Sequence, residues 1–273
     1  MSTISRAAEV TTIDPVWDAV TSGARTVAQA EPSLANLVYS SVLNHESFES
    51  ALAHRLAERL GHPDVSADLI RQAFHDALDI RPEIGLEARA DLAATLERDP
   101  ALHKAVDGFL YFKGFHAIQT HRFTHTLWTS GRRDFALYLQ SRSSAVFQVD
   151  INPAARIGKG IMLDHATGFV VGETAVIGDN VSILQGVTLG GTGKSEEDRH
   201  PKIGNGVLIG ADAIVLGNIR VGDCARVGAG SVVVKEVPPR VTVAGVPARI
   251  IGEAGAPHPS SVMDQVAAID TTG

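Results

Sequence analysis

Thirteen aliphatic residues in the second half of the chain fall on a six-residue step, and few folds tolerate such a step. Ile151, Ile157 and Leu163 begin it; after a slip of two residues Val171, Ile177, Ile183 and Leu189 resume it. A longer gap follows, and then Ile203, Ile209, Val215, Val221, Val227 and Val233 continue it. Eight of these thirteen anchors are followed directly by glycine. Two positions before an anchor stands a second, usually smaller residue, such as Ala155, Ile161, Phe169, Ala175, Val181, Val187, Val207, Ala213, Ile219, Ala225 or Ser231. Residues two apart share one face of a strand, so each hexad turns one large and one smaller side chain inward and then bends tightly. No hexad buries its apolar side alone, whereas stacked coils share a core. Sandwich strands would recur at roughly 8–12 residues, and a step of six does not hold one face of an α-helix. Three hexads per coil, with strands about 4.8 Å apart, predict a prism roughly 20 Å tall.

The first half carries a different period. Asp14-Pro15 reads as an N-cap followed by proline at the first helical position. Leu34, Leu37, Val38 and Leu43 fall near helical spacing, as do Ala51, Leu52, Leu56 and Leu60, where Gly61 supplies a stop. Asp68 is expected to cap a segment carrying Leu69, Ala73, Phe74 and Leu78, and further helical stretches run over 86–96, 110–128 and 132–146. The expectation is an α+β protein of about eight short helices followed by a parallel β-helix. Its parts are an α-helical domain over 1–148, a β-helix over 149–252 and a flexible C-terminal tail over 253–273.

Composition narrows the class. With 24 Lys+Arg against 31 Asp+Glu the formal net charge is −7, which opposes nucleic-acid binding through a general basic surface. The single cysteine, Cys224, allows no intrachain disulfide and no four-cysteine zinc site. The N-terminus lacks a secretory apolar run, and no stretch is long and apolar enough for a bilayer span. The expected location is cytoplasmic, with no membrane partner.

Several stretches together resemble the serine acetyltransferase branch of the hexapeptide-repeat acyltransferase superfamily. They are RDPA at 98–101, LYFKGFHAIQTHR at 110–122, FQVDINPAARIGKGIMLDHATG at 147–168, VVGETAVIGDNVSILQGVTLGGTGK at 170–194, DRHPKIG at 198–204 and AGVPARI at 244–250. The resemblance covers about residues 10–252 and implies a left-handed β-helix, against the general preference of parallel crossovers for the opposite hand. It also implies acetyl transfer from acetyl-CoA to the L-serine hydroxyl, giving O-acetyl-L-serine and CoA in cysteine biosynthesis.

That chemistry needs a base, because a neutral alcohol is a poor nucleophile, and histidine suits neutral pH. Before the tail, the repeat half holds two histidines, His165 and His200. Asp150 precedes His165 by fifteen residues, close to one coil. The resemblance makes His165 the general base and Asp150 the carboxylate that orients it. His200 and Arg199 lie where the repeat is broken between Leu189 and Ile203, and an excursion of that kind often carries function. By resemblance they hold the serine carboxylate, while Asp164 and Asp99 hold its ammonium. Glu173 is a candidate for supporting this set from behind. For the cosubstrate, the resemblance assigns Gly191, Thr192, Ala211 and Ala229 to the pantetheine cleft, and Arg249, Arg226 and Lys235 are candidates for meeting the CoA phosphates. The run GGTGKS at 190–195 is not a P-loop, because the required earlier glycine is Thr188.

No metal and no tightly bound cofactor are expected. Cys224 falls in a turn with no evident activating base and reads as structural. His116, His121 and His125, at helical spacing, read as packing or surface residues rather than metal ligands. The resemblance further implies feedback inhibition by cysteine and assembly as a homotrimer or a hexamer built as a dimer of trimers, with active sites between adjacent barrels. Many relatives end in isoleucine, which enters O-acetylserine sulfhydrylase; this chain ends in Gly273, which argues against that complex. The alternatives are another hexapeptide acetyltransferase acting on homoserine, a sugar or a xenobiotic, a β-helical carbonic anhydrase, and a non-catalytic scaffold. The carbonic anhydrase needs three histidine ligands where the repeat offers two. The scaffold would be indifferent to loss of His165.

Overall fold

In the computed structural model, which describes residues 14–193 and 196–264, Asp14 accepts a hydrogen bond from the Trp17 amide at 3.0 Å and Pro15 takes the first helical position. α1 (Pro15–Ala30) therefore starts where its cap dictates. A 3-10 turn, the short α2 (Ala35–Val38) and a π-helical turn at Tyr39–Leu43 follow as one stretch. α3 (Phe48–Leu60) is capped by Ser47 and stops at Gly61. α4 (Ala67–Ile80) is capped by Ser66, not by Asp68, which lies inside the first turn. Its buried stripe is Ile70, Ala73, Phe74 and Ala77, and Leu69 is 60% exposed. That one-residue rotation follows from Phe74, whose ring stacks on Phe123 at 4.2 Å. α5 (Glu83–Arg98), α6 (Ala105–Tyr111), α7 (Lys113–Thr129) and α8 (Arg133–Phe147) complete the helical region. The expected single segment over 110–128 is broken at Phe112, whose extended backbone separates α6 from α7.

Gln148, in a left-handed conformation, closes α8. The chain then coils through β1 (Val149–Ile151), β2 (Arg156–Ile157), β3 (Met162–Leu163), β4 (Phe169–Val171), β5 (Val176–Ile177), β6 (Ser182–Ile183) and β7 (Thr188–Gly190). It continues with β8 (Lys202–Ile203), β9 (Leu208–Ile209), β10 (Ile214–Leu216), β11 (Arg220–Val221), β12 (Arg226–Val227) and β13 (Val232–Val233). Each of the thirteen anchors occupies one of these thirteen strands. They stack in three parallel columns: Ile151, Val171, Leu189, Val215 and Val233; Ile157, Ile177, Ile203 and Val221; and Leu163, Ile183, Ile209 and Val227. All are buried except the partly covered Ile157, and the smaller residues between them fill the prism axis. The result is a left-handed parallel β-helix of about five coils. The slip after Leu163 and the gap after Leu189 are absorbed outside the strands, so register survives both.

A hairpin of β14 (Val241–Gly245) and β15 (Ala248–Glu253) extends the third column, with Val227 paired to Val243 and β15 running antiparallel. Beyond it, α9 (Pro259–Val262) lies along the outer face of that sheet, where Ser182 Oγ donates to the Ser260 carbonyl at 2.8 Å. The rest of the expected tail, 265–273, lies outside the described residues. No helix among the described residues is long and apolar enough to cross a membrane.

Polar side chains fix the helices to the first coil. Buried Asp91 accepts from Arg122 at 2.6 Å, from Gln119 at 2.8 Å and from the Ile161 amide at 2.8 Å. Arg122 also donates to the Gly158 carbonyl at 2.6 Å, and Arg98 donates to the Gly160 carbonyl at 3.0 Å. His121 bonds the Ala155 carbonyl at 3.1 Å and His125 the Pro153 carbonyl at 2.8 Å. His116 instead ties its own helix to the Phe109 carbonyl at 2.7 Å. Burial pushes both His116 and His121 down to about 3, so they are neutral packing residues. Among the described residues no cluster suits a metal ion.

Candidate active site

The two extra residues after Leu163 build an unusual turn. His165 and Ala166 stand consecutively at φ 55° and 65°, a conformation that costs a side-chain-bearing residue about 1–2 kcal/mol. The turn is held from four sides. Ala166 N–H reaches the Asp164 carbonyl at 2.6 Å, Gly168 N–H the Gln148 carbonyl at 2.8 Å and Gly186 N–H the Thr167 carbonyl at 2.8 Å. Lys113, the first residue of α7, donates to Thr167 Oγ1.

This turn borders a cavity of about 420 Å³ lined by Asp99, Ala101, Phe112, Lys113, Gly114, Leu163, Asp164 and His165. Asp99, Asp164 and His165 thus line one cavity. The His165 side chain is 72% exposed, and its Nε2 stands 3.6 Å from Asp164 Oδ2. Burial raises the Asp164 carboxyl above its ordinary range; the Asp99 charge adds to this, and His165 opposes it.

No hydrogen bond or ion pair joins Asp150 to His165 among the described residues. Asp150 Oδ1 accepts from Gln140 Nε2 of α8 at 2.6 Å, and among the described residues the ion pair of His165 is with Asp164. The His165 imidazole, on its left-handed turn, is turned out to solvent.

Below His165, successive turns stack at the same corner of the prism. Asp212 N–H bonds the Gln185 carbonyl and Gly230 N–H the Ala211 carbonyl. A Cβ on Gly210 would fall 2.6 Å from the Ala229 amide, and one on Gly228 would fall 3.1 Å from the Ala244 Cβ. Ala244 pairs with Arg249 across the hairpin. Ala211, Ala229 and Arg249 therefore lie on one column descending from His165, about 24 Å long over five strand steps. Arg226 does not share it. It is buried on the sheet face under the C-terminal segment, bonded to Thr242 at 3.2 Å and to Asp264 at 3.1 Å.

Arg199 and His200 occupy the neighbouring corner, across the sheet face of β1, β4, β7, β10 and β13. Gly191 and Thr192 stand with them: Gly191 faces the Arg199 carbonyl and His200 Nε2, and Thr192 Cγ2 lies against Gly217. Glu173 Oε2 accepts from Arg199 Nη2 at 2.6 Å. Thr174, which sequence reasoning passed over, organises the loop. Its Oγ1 accepts from the amides of Arg199 and His200, both at 3.1 Å, and lies 2.9 Å from His200 Nδ1. Within one chain the assigned residues thus form two groups at two corners. Lys113 and Gly114 were also missed as individual residues, although both lie inside the quoted LYFKGF stretch.

The family described as "Serine acetyltransferase, N-terminal" matches residues 16–120, and "Bacterial transferase hexapeptide (six repeats)" matches 200–235. The serine acetyltransferase of Salmonella typhimurium is 54% identical over 253 residues, covering 93% of each chain. The crystal structure of serine acetyltransferase from Brucella abortus in complex with coenzyme A is 59% identical, with a TM-score of 0.89, covering 91% of this chain and 100% of that one. A serine acetyltransferase solved in complex with cysteine is 50% identical, with a TM-score of 0.91, covering 92% and 98%. With this identity over more than nine-tenths of its length, the chain belongs to the serine acetyltransferase family.

Proposed function

We propose that the protein transfers acetyl from acetyl-CoA to L-serine, with His165 as general base. The observation that carries this reading is the cavity that joins His165 to Asp99 and Asp164 at the head of a column of small-residue turns. In the reaction, the serine oxygen attacks the thioester carbonyl while His165 takes its proton. The tetrahedral intermediate expels the CoA thiolate, which recovers that proton from the histidinium, leaving O-acetyl-L-serine and CoA. Asp164 and Asp99 take the substrate ammonium, and Arg199 and His200 its carboxylate. Asp150 keeps the orienting role that the resemblance assigns it, with Gln140 holding its Oδ1. Acetyl-CoA lies along the descending column, its arm past Ala211 and Ala229 and its phosphates near Arg249, with Gly191 and Thr192 forming the opposite wall.

The separation of the two groups supports a site completed by a second copy, the corner of one β-helix facing the other corner of its neighbour. The outward ladder of Val170, Thr188, Ile214 and Val232 between the corners suits such packing, and Val170 is 38% exposed. This is the trimer reading; the helical region, residues 1–148, would join two trimers into a hexamer. Cysteine carries the ammonium and carboxylate of serine and fits the same groups as a feedback inhibitor, and the cysteine-bound relative supports this. The single cysteine of the chain suits a reducing cytoplasm. The test is acetyl-CoA consumption with serine, homoserine and amino sugars offered separately. Turnover with serine is expected, and its absence would overturn the reading.

A further inference from the structure

We infer that Thr174 is a positioning residue that anchors the 199–200 segment and fixes His200 as the Nε2–H tautomer, so that the imidazole presents a hydrogen-bond donor to the substrate carboxylate. The tautomer follows from donor and acceptor accounting. The Thr174 backbone amide donates to His200 Nδ1 at 3.2 Å. A backbone N–H can only donate, so Nδ1 must be the unprotonated nitrogen, and the ring proton sits on Nε2. The Thr174 hydroxyl reinforces this. Its oxygen already accepts two amides, those of Arg199 and His200, which leaves its proton to donate, with His200 Nδ1 at 2.9 Å as acceptor. Asp198 competes for that proton, but the amide bond fixes the tautomer in either case.

The ring has little other freedom. A Cβ on Gly172 would lie 2.0 Å from both Cδ2 and Nε2 of His200, so the imidazole packs on bare backbone. On the Nε2 side, a Cβ on Gly191 would come within 3.5 Å. The ring edge that carries the proton therefore faces a strip bounded by two glycines. Burial holds His200 neutral, aided by Arg199 and Lys202 and opposed by Glu173 and Asp198. A neutral ring that could choose its tautomer would spend part of its time as an acceptor and repel a carboxylate. One locked by Thr174 does not.

The kinetic part of this inference rests on the proposed reaction; the tautomer does not. Nitrogen-15 NMR of the full-length protein, with His200 assigned by difference against His200→Gln, reads the tautomer directly. A pyridine-like Nδ1 and a protonated Nε2 at neutral pH are expected; a protonated Nδ1 would overturn the inference. Thr174→Val keeps the backbone amide and so is expected to leave Nδ1 unprotonated, but it loses the hydroxyl that anchors the Arg199 and His200 amides and is expected to raise the serine KM about tenfold, the scale of one lost hydrogen bond, with the acetyl-CoA KM within about twofold. Thr174→Ser, which keeps the hydroxyl, is expected to restore the serine KM. An unchanged serine KM in Thr174→Val, or equal losses for both substrates that serine does not rescue, would reduce Thr174 to a general structural residue and sink the proposal. Absence of serine acetylation in the unmutated protein would instead remove the reaction, leaving the NMR result standing.

Discussion

Gly114, the second residue of α7, lies against the end of β3 so closely that a Cβ on it would fall 1.9 Å from the Leu163 carbonyl oxygen. Leu163 leads directly into Asp164 and His165, so the helical region sets the height of the catalytic turn through this contact. Gly114→Ala must move either α7 or β3. Overpacking of this kind costs about 1–3 kcal/mol. The expected result is a lower urea midpoint together with at least about a tenfold loss of kcat; a full-activity, full-stability variant would show that the contact is slack.

His165→Ala removes the base. A loss of at least about a hundredfold in kcat is expected, while CoA binding by calorimetry stays near that of the unmutated protein. The two carboxylates separate in the same assay: Asp164→Asn should mainly raise the serine KM, and Asp150→Asn should mainly lower kcat. The reverse pattern would exchange their roles and make Asp164 the orienting group.

Glu173→Gln removes the charge that holds Arg199 Nη2 at 2.6 Å. Both side chains are partly exposed, so the effect is modest. A rise of about threefold to tenfold in the serine KM is expected, worth about 1 kcal/mol, with the acetyl-CoA KM unchanged. Steady-state kinetics with each substrate varied in turn decides it.

His116 and His121 make stability depend on pH. Each is depressed from 6.5 to about 3 by burial, so between those values the unfolded chain binds protons that the folded chain refuses. Their contribution is complete above about pH 6.5 and is lost as pH falls toward 3, with a slope approaching about 1.4 kcal/mol per pH unit for each. Urea midpoints measured from pH 7 to pH 4 should fall steeply, and His121→Gln should flatten the curve. A profile that does not change with the variant would locate the acid sensitivity elsewhere.

The Asp91–Arg122 pair is the polar pin between α5, α7 and the first coil. Arg122→Met leaves Asp91 buried without its cation, which costs about 3–5 kcal/mol. Replacing both, with Asp91→Leu, should recover part of that loss, because the uncompensated charge is gone. Calorimetric melting of the two variants checks the order.

Much of the scaffold is readable in the primary structure. All thirteen anchors occupy successive strands, since a β-helix repeats one local decision and each hexad states its own inward pair. Asp14, Pro15 and Gly61 mark helix ends for the same local reason. Prediction falters where one residue's choice depends on a distant partner. Ser66 rather than Asp68 caps α4, and Leu69 faces solvent, because Phe74 meets Phe123.

The chemistry divides along the same line. The breaks in the repeat point to His165, Arg199 and His200, because extra residues in a rigid coil can only leave it at a corner. What the linear order does not contain is which groups meet across coils and elements. The ion pair of His165 is with Asp164, and Gln140 holds Asp150. Thr174 locks His200 from 26 residues away, and Gly114 sets the turn from α7. The six-residue period by itself determined a prism with its functional groups at the corners. Tertiary packing decided their orientation, proton positions and neighbours, because those depend on distances between segments that no spacing along the chain encodes.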